Sequence, residues 1–398
     1  MAEEQLKKMN LFGQELIVKS AGTATGGVGG NGMAITGGGY VGPEGGITST
    51  NRWLRFDFND PNHRSLVILG GTSFTIGENI VTIDETTSYN LSDYISEEGT
   101  DYYVFINADG RVIANTIRTP AEGYMFIGQF HTLCNGVPAN TTGIIPCNSS
   151  TVGTKVILQN YFKERDLDFY NFYVKTIDAI TTHTDYNVGV VLHPLQGFNT
   201  GDILPESVWC LNFHPNCRNW DGMLYCCSCN IAIDIYVGSG YWENVESVYG
   251  AVMNYTRESN AYFMPSHVGK RLLSPTEFNI CASGSNEKTS CSVMTNVIGG
   301  HVDTSGRRMT SFIGCEEMCG FAWTTCDQIQ AANDDVWRGY DGVDAFGLSN
   351  DVYYVTQMGC NYDTQTHSYE GSRCIGISIG SWSTQTYGTR FCSDMVII

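Results

Sequence analysis

Residues 269–278 read Gly269-Lys270-Arg271-Leu272-Leu273-Ser274-Pro275-Thr276-Glu277-Phe278, and their chemistry fixes one element of the fold. Ser274 and Glu277 have capping-box spacing. The serine hydroxyl can accept from the Glu277 backbone N–H while the glutamate reaches back to the serine N–H. Pro275 falls at the first helical position, where a missing N–H costs nothing. The spacing predicts a helix from this cap to about Ala282, stopped at Gly284. A second helix is expected over Trp242 to Met253.

Toward the N-terminus the period shortens. Leu54, Phe56 and Phe58 alternate with Arg55 and Asp57, the pattern of a half-buried strand. Tyr102 to Ile106, then Asp109-Gly110, then Val112-Ile113 reads as a β-hairpin closed by an Asp-Gly turn. Val156 to Leu158 and Val188 to Leu192 read as further strands. Between Ala21 and Gly46 glycine takes nearly every second position. Such a stretch cannot bury enough apolar surface to order itself alone. It is either a flexible leader or a segment that orders against neighbouring subunits, with Leu16-Ile17-Val18 able to pair as a short strand before it. The fold class is α+β, with a β-rich N-terminal half. The expected divisions are a Gly-rich attachment segment at 1–50, β-rich structure at 51–204 and a distinct unit at 205–398.

Composition narrows the function. The 398 residues hold 22 Lys+Arg against 41 Asp+Glu, a net charge of −19. Nucleic-acid binding needs clustered Lys/Arg, so the balance argues against nucleic acid as a partner. Charged residues make up 16% and apolar ones 42%, which rules out a disordered acidic protein. No apolar run approaches the ~18 residues of a membrane span, so no membrane insertion is expected. Met1–Ser20 carries acids and lysines without the apolar core of an export signal, so the expectation is against ordinary secretion.

Several catalytic patterns are formal matches only. Gly376-Ile377-Ser378-Ile379-Gly380 fits the nucleophile-elbow pattern, but no histidine follows to complete a triad in the required order. Gly27-Val28-Gly29-Gly30-Asn31-Gly32 fits a dinucleotide pattern, yet more glycine follows where a helix must start. His301 and Asp303 are close neighbours with no third partner and suit local hydrogen bonding. Asn90, Asn140, Asn148 and Asn254 head glycosylation triplets that carry little weight without an export signal. No catalytic residue and no cofactor are expected.

Fifteen cysteines remain to be placed. Cys210, Cys217, Cys226, Cys227 and Cys229 crowd into twenty positions, and Cys226-x-x-Cys229 has metal-ligand or redox spacing. Cys210 and Cys217 are too far apart for a zinc pair. In a chain without an export signal, most of the thiols read as small buried hydrophobes, and no metal site is expected.

The last 68 residues contain no lysine. Trp337, Tyr340, Tyr353, Tyr354, Tyr362, Tyr369, Trp382 and Tyr387 stand there among Ser, Gly, Asn, Asp and Thr. Tyr and Trp give large contact area at low entropy cost, and Ser and Asn adapt their hydrogen bonds, so this is the composition of a binding surface. About half of the aromatics are expected in the core instead.

Short blocks spread over about 270 positions carry a family resemblance. They are Ile127-Gly128-Gln129-Phe130-His131, Pro205-Glu206-Ser207-Val208-Trp209, Pro215-Asn216-Cys217 with Gly222-Met223, and the 269–278 stretch. Gly314-Cys315-Glu316-Glu317 with Gly320 and Trp323, Gly371-Ser372-Arg373 and Tyr387-Gly388-Thr389-Arg390 complete the order. In this order they resemble the phage major tropism determinant family, targets of diversity-generating retroelements. The first 120 residues show no clear match. The resemblance implies a C-type-lectin-like C-terminal domain, a fold shared with formylglycine-generating enzymes. It also implies a homotrimeric receptor-binding protein at the tip of a phage tail fibre, assembled in the host cytoplasm. Its partners would be other tail proteins and a host-cell surface receptor, protein or glycan.

The family's variable region maps to about 337–390 here, with Gly371, Ser372, Arg373, Gly388 and Arg390 as fixed scaffold. The implied receptor-binding residues are Tyr340, Asp344, Asn350, Tyr353, Asn361, Tyr362, Tyr369, Ser381, Trp382, Ser383 and Tyr387. Two alternatives stay open: a diversified cellular surface-binding protein, and a formylglycine-generating-type oxidase using Cys374, Cys392 and copper. The oxidases' R-G-G-S stretch is absent; Glu370-Gly371-Ser372-Arg373 stands roughly in its place.

Overall fold

The computed structural model describes residues 6–11, 14–19, 27–29, 33–36, 52–146, 181–183, 188–254, 264–285, 298–300, 310–331, 353–359, 375–379 and 387–398. The expected strand at Val156 to Leu158 lies outside them, as do His301 and Asp303.

The largest sheet is built from distant parts of the chain. Its strands run in the order β11 (Val112–Asn115), β10 (Asp101–Asn107), β12 (Tyr124–His131), β16 (Trp209–Cys210), β17 (Phe213–Pro215), β25 (Phe391–Ile397), β19 (Ile231–Asp234), β18 (Met223–Cys226). A short β20 (Arg271–Leu272) pairs onto β25 from the side. The C-terminal strand therefore lies in the middle of the sheet, where it must pair on both edges. Its buried Phe391 and Cys392 suit that position.

β12 meets β16 through Gly128 opposite Cys210 and Gln129 opposite Trp209. The sheet thus crosses position 204/205, where the sequence suggested a change of unit. The apolar core crosses it too, with Trp53, Phe74, Phe130, Trp209, Phe213, Trp220, Tyr236 and Phe278 in one cluster.

The described residues of the first fifty pair within their own chain. β1 (Leu6–Leu11), β2 (Gln14–Lys19), β3 (Gly27–Gly29) and β4 (Met33–Thr36) form an antiparallel series that joins β7 (Thr72–Ile76) and β8 (Asn79–Ile83). Ile35 sits opposite Phe74. Residues 27–29 are a strand rather than the loop a dinucleotide site needs. Two three-stranded sheets complete the N-terminal part: β5 (Leu54–Phe56), β6 (Ser65–Ile68) and β9 (Thr87–Asn90), and β13 (Thr142–Pro146), β15 (Val188–Leu192) and β14 (Thr181–His183).

Local chemistry explains where the sequence reading held and where it failed. The Asp-Gly hairpin between β10 and β11 is present. Asn107 Oδ1 accepts from the Asp109 and Arg111 backbone N–H groups (3.1 and 2.8 Å), and Gly110 takes φ +77°, which a side chain disfavours. The alternation at 54–58 stops early. Asp57 turns the chain by accepting from Asn59 N (2.9 Å), so Phe58 leaves the strand and packs edge-on against Phe56.

The capping box forms as read. Ser274 Oγ accepts from Glu277 N (3.2 Å), Glu277 Oε2 accepts from Ser274 N (2.8 Å), and α1 runs Pro275–Cys281. The expected helix over Trp242 to Met253 is absent. Only a 3₁₀ turn at Trp242–Asn244 forms, and Ser239 then bridges to Glu246 and Met253. Trp242 enters at φ +56° and Gly250 sits at φ +73°, both incompatible with a right-handed helix.

Candidate functional site

The C-terminal region expected to bind is built around a four-stranded sheet in the order β23 (Ile375–Ile379), β22 (Tyr353–Met358), β21 (Trp323–Ala331), β24 (Tyr387–Thr389). β21 and β24 are parallel and the other pairs antiparallel. Ala331 pairs with Tyr353 and Tyr354 with Ile379, so β21 ends, β22 begins and β23 ends at one edge of the sheet. Met358 pairs with both Thr324 and Ile375, and Trp323 lies beside Tyr387. β22 therefore ends, and β23 and β24 begin, at the opposite edge. At a strand rise of about 3.3 Å per residue, β22 holds the two edges roughly 17–20 Å apart.

The connections between these strands carry most of the expected receptor-binding residues. Tyr340, Asp344, Asn350, Asn361, Tyr362, Tyr369, Ser381, Trp382 and Ser383 all lie outside the described residues, as do Gly371, Ser372, Arg373 and Cys374. Tyr353 opens β22 at the first edge, and Tyr387, half-buried, opens β24 at the second. The strands do not bring these two tyrosines together. Ser378 of the formal elbow lies within β23 opposite Val355, not on a strand-to-helix turn.

Beneath this sheet the resemblance blocks converge into a buried polar framework. Arg390 is wholly buried, and its guanidinium donates to the carbonyl oxygens of Asp234 and Ile235 (both 2.6 Å) and to that of Glu316, with Glu317 Oε2 at 3.8 Å. Glu316 accepts from Thr310 Oγ1 (2.9 Å), and Glu317 from Gly300 N. Lys270 Nζ lies 2.6 Å from Asp234 Oδ1, and Asp234 Oδ2 accepts from Phe391 N (3.2 Å). Burial opposes the charge on Lys270, but Asp234 reverses the effect and holds the ammonium protonated.

Arg271 grips Glu277 with two bonds (2.8 and 2.9 Å) and reaches Asp394 (3.1 Å). Burial alone would raise the Glu277 carboxyl; Arg271 and the Ser274 N–H hold it below the usual range. Further back, Arg52 pairs with Glu206 (3.3 Å). Ser207 Oγ accepts from His131 N (2.7 Å), and His131 Nε2 meets Tyr236 OH at 3.0 Å. A paired charge inside a core must be satisfied on every side, so these blocks read as supports rather than contact residues.

Gly388 serves the same framework by its lack of a side chain: a Cβ there would come within 2.4 Å of Met253 Sδ. Asn254 is buried, donating to Gly240 O (3.0 Å) and accepting from Thr389 Oγ1 (2.9 Å). Its side chain is thus committed to the framework and not presented for glycosylation.

A cleft of about 680 Å³ opens beside this framework, lined by Tyr103, Arg118, Trp220, Asp221, Glu243 and Lys270 among others. Tyr103 OH and Gln129 Nε2 donate to the two Asp221 oxygens (2.8 and 3.0 Å). Arg118 lies over the rings of Tyr103, Phe126 and Trp220 at about 5.5 Å. Burial pushes the Cys217 thiol in this wall up to about 11, so it is no nucleophile at neutral pH. The cleft is lined mainly by polar and charged side chains. Cys392, a candidate for the oxidase reading, is buried with its thiol toward Leu272 O (3.5 Å) and raised by burial.

Nine of the eleven described cysteines are buried and none is bridged, which fits the reading of small buried hydrophobes. Among the described residues no helix is long and apolar enough to cross a membrane.

These features define a class: a β-rich scaffold whose buried polar framework braces a small sheet with long connections between its strands. Solved structures of that architecture exist, and the chain has the major tropism determinant fold. The Major Tropism Determinant I1 Variant matches with a TM-score of 0.61 and 19% identity over 89% of this chain and 86% of that one. The P3c Variant gives 0.61 and 18% over the same shares, and the U1 Variant 0.59 and 19% over 86% of each. None of the three is named for an enzymatic activity. No protein-family model and no curated protein matches the sequence.

Proposed function

We propose that this chain is a receptor-binding protein of a phage tail fibre, displaying a variable C-terminal surface to a host-cell receptor. The observation that carries the reading is the agreement in fold with the tropism determinants over 86–89% of the chain. The lysine-free, Tyr/Trp/Ser/Asn-rich connections at 332–352, 360–374 and 380–386 support it, because they leave from strand ends anchored on a buried framework. A fold that keeps its constraints in Arg390, Lys270 and the Glu316-Glu317 pair leaves these connections free to change in sequence.

In this reading residues 1–50 attach and trimerise, and the receptor is recognised from within 205–398, on a scaffold that shares its large sheet and core with the β-rich residues 51–204. The trimers act together, since multivalency adds ~10²–10⁴ in avidity to individually weak contacts. The unbridged, mostly buried thiols among the described residues suit assembly in a reducing host cytoplasm.

Adsorption to host cells tests the binding face. Tyr369→Ala and Trp382→Ala are expected to abolish adsorption while assembly survives; normal adsorption by both moves the face elsewhere. Light scattering is expected to give three times the chain mass of 43.8 kDa, and a monomer at micromolar concentration removes the trimer. Sequences of 331–398 from sister genomes are expected to differ at Tyr, Asn, Ser and Asp codons.

A further inference from the structure

The turn between β18 and β19 places Cys226 and Cys229 beside a third thiol from another element, Cys281 at the last position of α1. The three sulfur atoms lie within 4.8 Å of one another, and among the described residues no other group of metal-binding side chains gathers this way. We propose that Cys226, Cys229 and Cys281 form a metal site that takes Zn²⁺ through three sulfur ligands, with a fourth position open to a small ligand such as water.

The turn has the form such a site needs. Cys229 N donates to the Cys226 carbonyl (3.2 Å), and Asn230 takes φ +53° to turn the chain into β19. This folds the two-residue spacer so that both thiols face the same side.

Size agrees as well. Zinc–sulfur bonds of about 2.3 Å in tetrahedral geometry put sulfurs about 3.8 Å apart, so the cluster needs to contract by about 1 Å at most. A Cys-x-x-Cys redox pair would use two thiols and leave no role for Cys281 in the same cluster. Thiols serving only as hydrophobes have no reason to cluster sulfur to sulfur from elements 52 positions apart. Cys226 and Cys281 are buried and Cys229 is partly exposed, which gives the ion a path in. The metal would staple the β18 edge of the large sheet to α1. Phe278 of that helix packs under Gly359 at the end of β22, so the staple braces the sheet that carries the connections.

The full chain, expressed with zinc and purified without chelator, is expected to hold one zinc per chain by elemental analysis. Cys226→Ser and Cys281→Ala are expected to lose it, while Cys392→Ser keeps it. A readout on the unaltered chain removes dependence on how the variants fold. Co²⁺ added to the reduced, metal-free protein is expected to give thiolate-to-cobalt charge-transfer absorption at one equivalent. It is also expected to slow the alkylation of Cys229, which is partly exposed in the metal-free protein. Absence of both zinc and the cobalt band overturns the proposal. So does a Cys226–Cys229 disulfide in protein alkylated at lysis, or full zinc retention by Cys281→Ala. Host adsorption does not enter these measurements, so the site and the receptor-binding reading stand or fall separately.

Discussion

Lys270 Nζ sits 2.6 Å from Asp234 Oδ1 with both side chains sealed from solvent, joining the 269–278 stretch to the strand beside the C-terminal one. Removing one partner leaves a buried charge without its counter-ion. Lys270→Met is expected to cost about 3–5 kcal/mol in denaturant unfolding. Lys270→Met with Asp234→Asn removes both charges and keeps an acceptor for Phe391 N, so it is expected to recover most of that loss. A double variant no better than the single one would show that the pair is not coupled.

His214 gives a pH dependence of known sign. Its ring is buried, stacked on Trp220 at 4.2 Å, and its Nδ1–H donates to Pro215 O (2.9 Å). Burial depresses its pKa to about 4, with the Arg118 charge adding to the effect against the Pro215 bond. The unfolded chain, with a histidine near 6.5, then binds the proton first. The neutral ring's contribution is fully present above about pH 6.5 and is lost as the pH falls toward 4, by about 3 kcal/mol. Unfolding free energy measured between pH 7 and 4 is expected to fall by that amount more in the native protein than in His214→Phe.

Gly388 and Met253 test the close packing under the four-stranded sheet. Gly388→Ala drives a methyl into Met253 Sδ and is expected to destabilise by about 1–3 kcal/mol. Met253→Ala alone opens a cavity and is expected to cost about 2–5 kcal/mol. If the clash is the cause, the double variant costs less than the sum of the two, read from a thermodynamic cycle of urea midpoints.

The helix cap is a local test of the 269–278 stretch. Ser274→Ala removes the acceptor for Glu277 N and is expected to cost about 1 kcal/mol, with Ser274→Asp close to native. Equal losses in both would mean that the capping oxygen does not carry the effect.

Much of the fold was legible because its cues are local. The Ser274-Pro275-Thr276-Glu277 cap, the Asp109-Gly110 turn and the 188–192 strand each depend on neighbours a few positions apart. Trp242–Met253 differs from its local cues for the same reason: its apolar spacing resembles a helix, and only the bridges from Ser239 to Glu246 and Met253 show that it is irregular. The candidate site was legible as composition, in its aromatics and missing lysine, but not as geometry. Tyr353 and Tyr387 look alike in sequence, yet strand order sends them to opposite edges of one sheet.

By itself, then, the sequence determined the acidic, β-rich character of this protein, its capped helix, and the ordered blocks that mark its resemblance. Which residues meet was decided only in three dimensions. Cys281 joins Cys226 and Cys229 across 52 positions, Arg390 reaches the carbonyls of Asp234 and Glu316, and the last strand inserts between β17 and β19. The physical reason is that short-range rules act through backbone dihedrals and caps. Pairing between distant strands and buried charges is settled by the one arrangement that closes the core while satisfying every polar group inside it.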